Sequence, residues 1–256
     1  MRIVGLILAA IPIAVSGGTA SAQDFVPRDP QNLTKNWTCG GGTRVEAVRS
    51  STDWVKWLGK APTRANWKIA LCNYRGDAQR AKWLTRKQDF ALAMLVPIVD
   101  PYTGFDEAAD AADRAMFPAY AVTMLEAIMM RPGGRMTPPQ QALRQALLPG
   151  VRDNREALPG IEQRARERND PKQMQIAAEM HFDAGNVAKA FALYKAALAA
   201  GLNGADVDTA HAFFAMIAYR EGDAKGAAGW FKKIAKGSPW ADVALFWQAL
   251  GRGVRD

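Results

Sequence analysis

The chain has little of what catalysis and metal binding usually require. It holds two histidines and two cysteines in 256 residues. There is no Cys-x-x-Cys, and His181 and His211 stand far from Cys39 and Cys72, so the ligand spacing of a structural zinc site is missing. Neither a Gly-x-Ser-x-Gly elbow nor a His-Glu-x-x-His pair occurs. The run Cys39-Gly-Gly-Gly-Thr43 lacks the Gly-Lys-Ser/Thr ending of a phosphate loop and reads as a flexible connection. No two carboxylates single themselves out as a glycan-cleaving pair. Dense Lys/Arg blocks are absent too, which argues against nucleic acid. The expectation is a non-enzyme with no cofactor and no metal.

The start is informative. Met1-Arg2 precedes an apolar run to Val15 broken by Pro12, and Ala20-Ser21-Ala22 supplies small residues for a cut after Ala22. This reads as a secretory signal peptide, residues 1–22, and places the protein in the periplasm or outside the cell. No later apolar run has membrane length, so no stable membrane insertion is expected after cleavage. Export puts Cys39 and Cys72 in an oxidising compartment, where one disulfide is expected, worth roughly 3–4 kcal/mol on the chain-entropy model. The net charge of +8 is spread along the chain and reads first as an aid to solubility.

Residues 173–250 write one helical hairpin twice. In the first copy Val187, Ala190, Phe191, Tyr194, Ala197 and Leu198 follow helical spacing on one face. In the second, Ala227, Trp230, Phe231, Ile234 and Ala235 do so. Gly185 and Gly222 each end the preceding helix, where a left-handed residue is wanted, and Asn186 and Asp223 are placed to cap the next. The copies are offset by about 37 residues, in the range of stacked supersecondary units.

These residues resemble the tetratricopeptide repeat and its slightly longer Sel-type relative. Gly185, Ala190, Tyr194 and Ala197 fall on the family's small and aromatic positions, as do Gly222, Ala227 and Phe231, and Pro239 matches its closing proline. The resemblance implies an all-α, right-handed α-solenoid of antiparallel helical hairpins, with a concave face that binds protein or peptide and no catalysis of its own. Tyr194, Lys195, Tyr219, Arg220, Lys232 and Lys233 are the candidate contacts, being repeat-borne and aromatic or basic.

The remaining segments divide as follows. Residues 23–50 form an extended arm, 51–148 a Trp- and Met-rich helical part with degenerate repeats, and 149–172 a charged connection broken by Pro149, Gly150, Pro159 and Gly160. The repeats then run through 173–256. Tyr74-Arg75-Gly76-Asp77 echoes Tyr219-Arg220-Glu221-Gly222-Asp223 and reads as the turn of a degenerate third hairpin. Helices are expected at about 63–75, 86–99, 106–116, 118–131 and from Thr137 through Leu148.

Five of the eight tryptophans (Trp37, Trp54, Trp57, Trp67, Trp83) lie in the first third. They read as helix packing, with a glycan-stacking surface as the alternative. Asp106, Glu107, Asp110 and Asp113 read as acids favoured by a helix dipole. Five of ten methionines fall between Met116 and Met136 and read as adaptable core. The expected function is an exported interaction scaffold for an envelope protein or peptide. The alternative is a cell-wall glycan-binding or glycan-processing protein using the Trp-rich part.

Overall fold

The hydroxyl of Ser50 accepts a 3.1 Å bond from the Asp53 amide and starts α1 (Ser51–Lys60). Trp54, Val55 and Leu58 then fall on one buried stripe. The computed structural model describes residues 50–99 and 104–254; the expected signal peptide, Trp37, Cys39 and nearly all of the extended arm lie outside them. The described residues are all-helical.

Next comes α2 (Arg64–Ala81), which passes through Tyr74-Arg75-Gly76-Asp77 without turning. The expected third hairpin turn is therefore absent. A mid-helix glycine costs roughly 0.5–1 kcal/mol. What offsets it is long-range. The helix aims the buried Arg75 guanidinium at Asp89 of α3 (Arg86–Ala93) and Glu107 of α5 (Gly104–Arg114). Thr85 and Gln88 form a capping box that opens α3. The expected single helix over 86–99 breaks before α4 (Val96–Val99). Pro97 cannot donate to Ala93, but it is tolerated in the first turn of a new helix.

Pro118 opens α6 (Pro118–Met129), and Thr137 with Gln140 caps α7 (Pro138–Glu167). The sequence predicts a stop near Leu148, yet α7 continues through both Pro149 and Pro159. Both prolines are exposed, as are Gln145 and Arg155, whose carbonyls they leave unbonded, so water can satisfy those groups.

The C-terminal part is α8 (Pro171–Asp183), α9 (Val187–Ala199), α10 (Ala205–Arg220), α11 (Ala224–Phe231) and α12 (Ala241–Leu250). Neighbours α8 and α9 pack as a pair, as do α10 and α11. Gly185 and Gly222 carry φ of 77° and 82°. Behind each, the amide of the next residue reaches back to the helix, Asn186 to His181 at 2.8 Å and Asp223 to Ala218 at 2.9 Å. This is the helix-ending geometry expected of a left-handed glycine. Asp223 caps α11 through the Gly226 amide at 2.7 Å, whereas the Asn186 side chain makes no cap bond.

Helix α12 does not end an open row. It packs on α1 and α3. The Asp242 carboxylate accepts 2.6 Å bonds from both the Ser51 and Tyr74 hydroxyls, and the Trp247 indole donates to the Ala91 carbonyl at 2.9 Å. Every residue from Gln88 to Val96 is buried. Phe90 of α3 meets Phe117 and Phe182, and Phe117 meets Phe213 of α10. The inward sides of α8 and α10 are thus filled by the chain's own N-terminal half. One hydrophobic core runs from Trp54 to Leu250.

Candidate functional site: an aromatic–lysine face

Polar groups inside the core are accounted for first, because they are the obvious candidates for chemistry. Arg75 donates to Asp89 at 2.7 and 3.0 Å and to Glu107 at 2.5 Å. Arg114 donates to Asp89 at 2.9 Å and pairs with Asp110. Burial works against the Arg75 charge, but the carboxylates of Asp89 and Glu107 outweigh it and hold the guanidinium protonated. Burial likewise opposes ionised Asp89, and Arg75 with Arg114 overcomes it, holding its carboxyl below the usual range. The acids expected merely to suit a helix dipole therefore have a larger task. Glu107 and Asp110 are buried partners of arginines that tie α2, α3 and α5 together.

A second buried acid joins the two halves. Phe117 stands at the start of α6 and offers no side-chain cap. Asp183, at the end of α8, supplies it from across the core, accepting from the amides of Tyr120 (2.7 Å) and Ala119 (3.3 Å). Burial outweighs those bonds and pushes Asp183 up to about 7. His181 is buried, with Nε2 2.8 Å from Glu162. His181 and the hydrogen bond from Arg166 hold the Glu162 carboxyl below its usual range, against a smaller opposing effect of burial. Among the described residues no group of three His, Cys, Asp or Glu is arranged to hold a metal ion.

The six candidate contacts divide. Tyr194 is fully buried, 5.4 Å from Phe213 and 5.7 Å from Phe214, and burial pushes its phenol well above the ordinary range. It lies out of reach of any partner. Tyr219 is half-buried with its edge on Trp247 at 5.2 Å, and Arg220 lies over the rings of Tyr120 (5.6 Å) and Phe182 (5.4 Å). Each of the three packs against the chain's own helices: Tyr194 on α10, Tyr219 on α12 and Arg220 on α6 and α8.

Lys195, Lys232 and Lys233 are exposed. Two of them sit over one connected set of rings outside those six candidates. Phe191 of α9 meets Phe214 of α10 at 4.5 Å, and Phe214 meets Trp230 of α11 at 4.5 Å. Phe191 also lies 6.3 Å from Trp230. The Lys195 ammonium sits 4.7 Å above the Phe191 ring, and that of Lys233 3.8 Å above Trp230. His211 flanks Trp230 at 5.7 Å; burial, then Lys233, lowers its pKa below the ordinary value. A signal for the first pair was present, since an aromatic four residues before a lysine puts the two on one helix face; Lys233 follows the end of α11 and reaches Trp230 from the turn.

The other sequence candidates are placed as follows. Cys72 is buried on α2, and no cysteine among the described residues is free. Trp54 and Trp67 are buried, which removes them from any glycan surface; Trp57 is half-buried and Trp83 exposed. Of the methionines, Met124 and Met136 are buried as expected, whereas Met116, Met129 and Met130 are exposed. Among the described residues no helix is long and apolar enough to cross a membrane.

The fold and this face define an all-helical protein whose C-terminal hairpins carry an outward aromatic–lysine surface. No family model, curated protein or solved structure matches the chain.

Proposed function

We propose that this is an exported, tetratricopeptide-like helical adaptor that holds another protein or peptide in the cell envelope. The observation that carries the reading is the α9–α11 face, where the half-buried rings of Phe191 and Trp230, packed on the buried Phe214, lie beneath exposed lysines. The repeated Gly185 and Gly222 turns and the paired helices they join support a repeat origin, with the pairs continuing a short right-handed solenoid. Because the inward side is filled by Phe90 and Phe117, the partner engages the outside of the hairpins rather than a concave groove. The apolar start ending in Ala20-Ser21-Ala22 supports export, and a Cys39–Cys72 disulfide fits an oxidising compartment.

Crosslinking capture from the native envelope tests the reading, using the mature protein with its disulfide intact. One specific protein recovered at stoichiometric yield supports it. Recovery of cell-wall fragments alone overturns it in favour of glycan binding. Deleting residues 173–256 is not a usable control, because it strips α12 from α1 and α3.

A further inference from the structure

We propose that the α9–α11 face binds an acidic segment of a partner protein that also carries apolar side chains, with Lys195 and Lys233 acting as removable covers over Phe191 and Trp230. The proposal rests on the adaptor reading and names the chemistry of the partner.

Charge is the first argument. From Ala224 to Pro239 the sequence holds Lys225, Lys232, Lys233 and Lys236 and no acid. These lysines and Lys195 are exposed and, among the described residues, have no ion-pair partner. Two of the acids next to them bond to backbone amides. Asp223 caps α11 through Gly226, and Asp208 accepts from the Ala235 amide at 3.3 Å. Bonding to a neutral amide leaves these carboxylates charged, so the face presents an excess of lysines over acids, complementary to carboxylates.

Ring geometry is the second. An exposed ammonium over a half-buried ring is held weakly. A carboxylate arriving beside Lys195 or Lys233 offers a charged partner instead. The lysine swings off, and the ring face of Phe191 or Trp230 is freed for an apolar side chain. One event thus makes an ion pair and uncovers the apolar contact, so acidic residues and apolar residues are needed together. His211, kept neutral by burial and by Lys233, adds a flat side wall to Trp230 without adding charge.

An anionic membrane surface is the competing occupant of any basic, aromatic patch. Insertion calls for large apolar side chains that protrude. Those exposed among the described residues are Trp83, Met116, Met129, Met130 and Ile176, and none belongs to this face. Its outer rings, Phe191 and Trp230, are half-buried, which suits a peptide lying across them.

The test uses the full mature protein and three probes: a labelled peptide of alternating glutamate and phenylalanine, the same peptide with lysine for glutamate, and phosphatidylcholine vesicles containing phosphatidylglycerol. The acidic peptide is expected to bind, more tightly at low salt, and the lysine peptide is not. Lys195→Glu with Lys233→Glu is expected to weaken binding about tenfold or more. Lys56→Glu with Lys189→Glu makes the same charge change at exposed sites off this face and is expected to leave affinity within about twofold. Equal loss in both double variants, no peptide binding, or binding to vesicles alone would overturn the proposal. Envelope capture separates its failure from that of the adaptor reading. A partner retained equally by wild type and Lys195→Glu/Lys233→Glu sinks only the face assignment; no captured partner sinks the adaptor itself.

Discussion

Tyr74 and Asp242 stand 168 residues apart in sequence and share a 2.6 Å hydrogen bond. The same carboxylate accepts from Ser51, so one side chain of α12 satisfies hydroxyls on both α1 and α2. Burial first, then the bond to Asp242, pushes the Tyr74 phenol far above its ordinary value, so it remains a donor at every physiological pH.

Replacing that acceptor tests whether the two ends fold together. Asp242→Ala leaves two part-buried hydroxyls without their partner and is expected to cost about 1–3 kcal/mol. Urea unfolding followed by tryptophan fluorescence and by far-ultraviolet dichroism checks it. Both probes should shift to the same lower midpoint. A shift in only one of them would mean that the halves unfold separately.

Arg75 gives a larger effect. Arg75→Met leaves Glu107 buried without its guanidinium and takes one guanidinium from Asp89, and the expected loss is about 3–5 kcal/mol. Arg75→Met with Glu107→Leu removes the charge and its orphan together and should cost less than the single change. A double variant as unstable as the single would show that the ion pair itself, and not the stranded acid, carries the energy.

Stability should depend on pH through Asp183. Its carboxyl sits at about 7 in the folded chain against an ordinary 3.8. Between those values the folded state holds a proton that the unfolded state has released. The contribution is therefore fully present below about pH 4 and is lost as pH rises through about 7. Moving from 3.8 to about 7 corresponds to roughly 4 kcal/mol as an upper bound. Asp183→Asn keeps an oxygen for the Tyr120 amide and removes the titration. The difference in stability between pH 4 and pH 8 should shrink in this variant, measured by denaturant midpoints; an unchanged difference would assign the pH dependence elsewhere.

Local demands were legible in the sequence, and distant partnerships were not. Gly185 and Gly222 were readable because a helix that ends in a left-handed residue asks for glycine there, whatever surrounds it. Thr137 was readable as a helix start for the same local reason. Tyr74-Arg75-Gly76-Asp77 misled, because what keeps it helical is a guanidinium held by Asp89 and Glu107 on two other helices. Pro149 and Pro159 misled for the opposite reason: their cost depends on exposure, which spacing does not reveal. At the candidate face, the lysines were readable as basic and repeat-borne. Tyr194 was not readable as buried, because its burial depends on Phe213 and Phe214 of the next hairpin.

The seating of α12 also sets an order of events. A chain halted before Ala241 has no Asp242 for Ser51 and Tyr74, no Phe246 beside Trp67 and no Trp247 indole for Ala91. Contacts of such long sequence separation reward folding only after the whole loop has closed. For a chain exported as proposed, a core that cannot close until the last helix has crossed would keep the earlier part thin enough to pass. Release of the final residues is the moment at which the two ends can lock, so truncations ending before Ala241 should be protease-sensitive where the full chain resists.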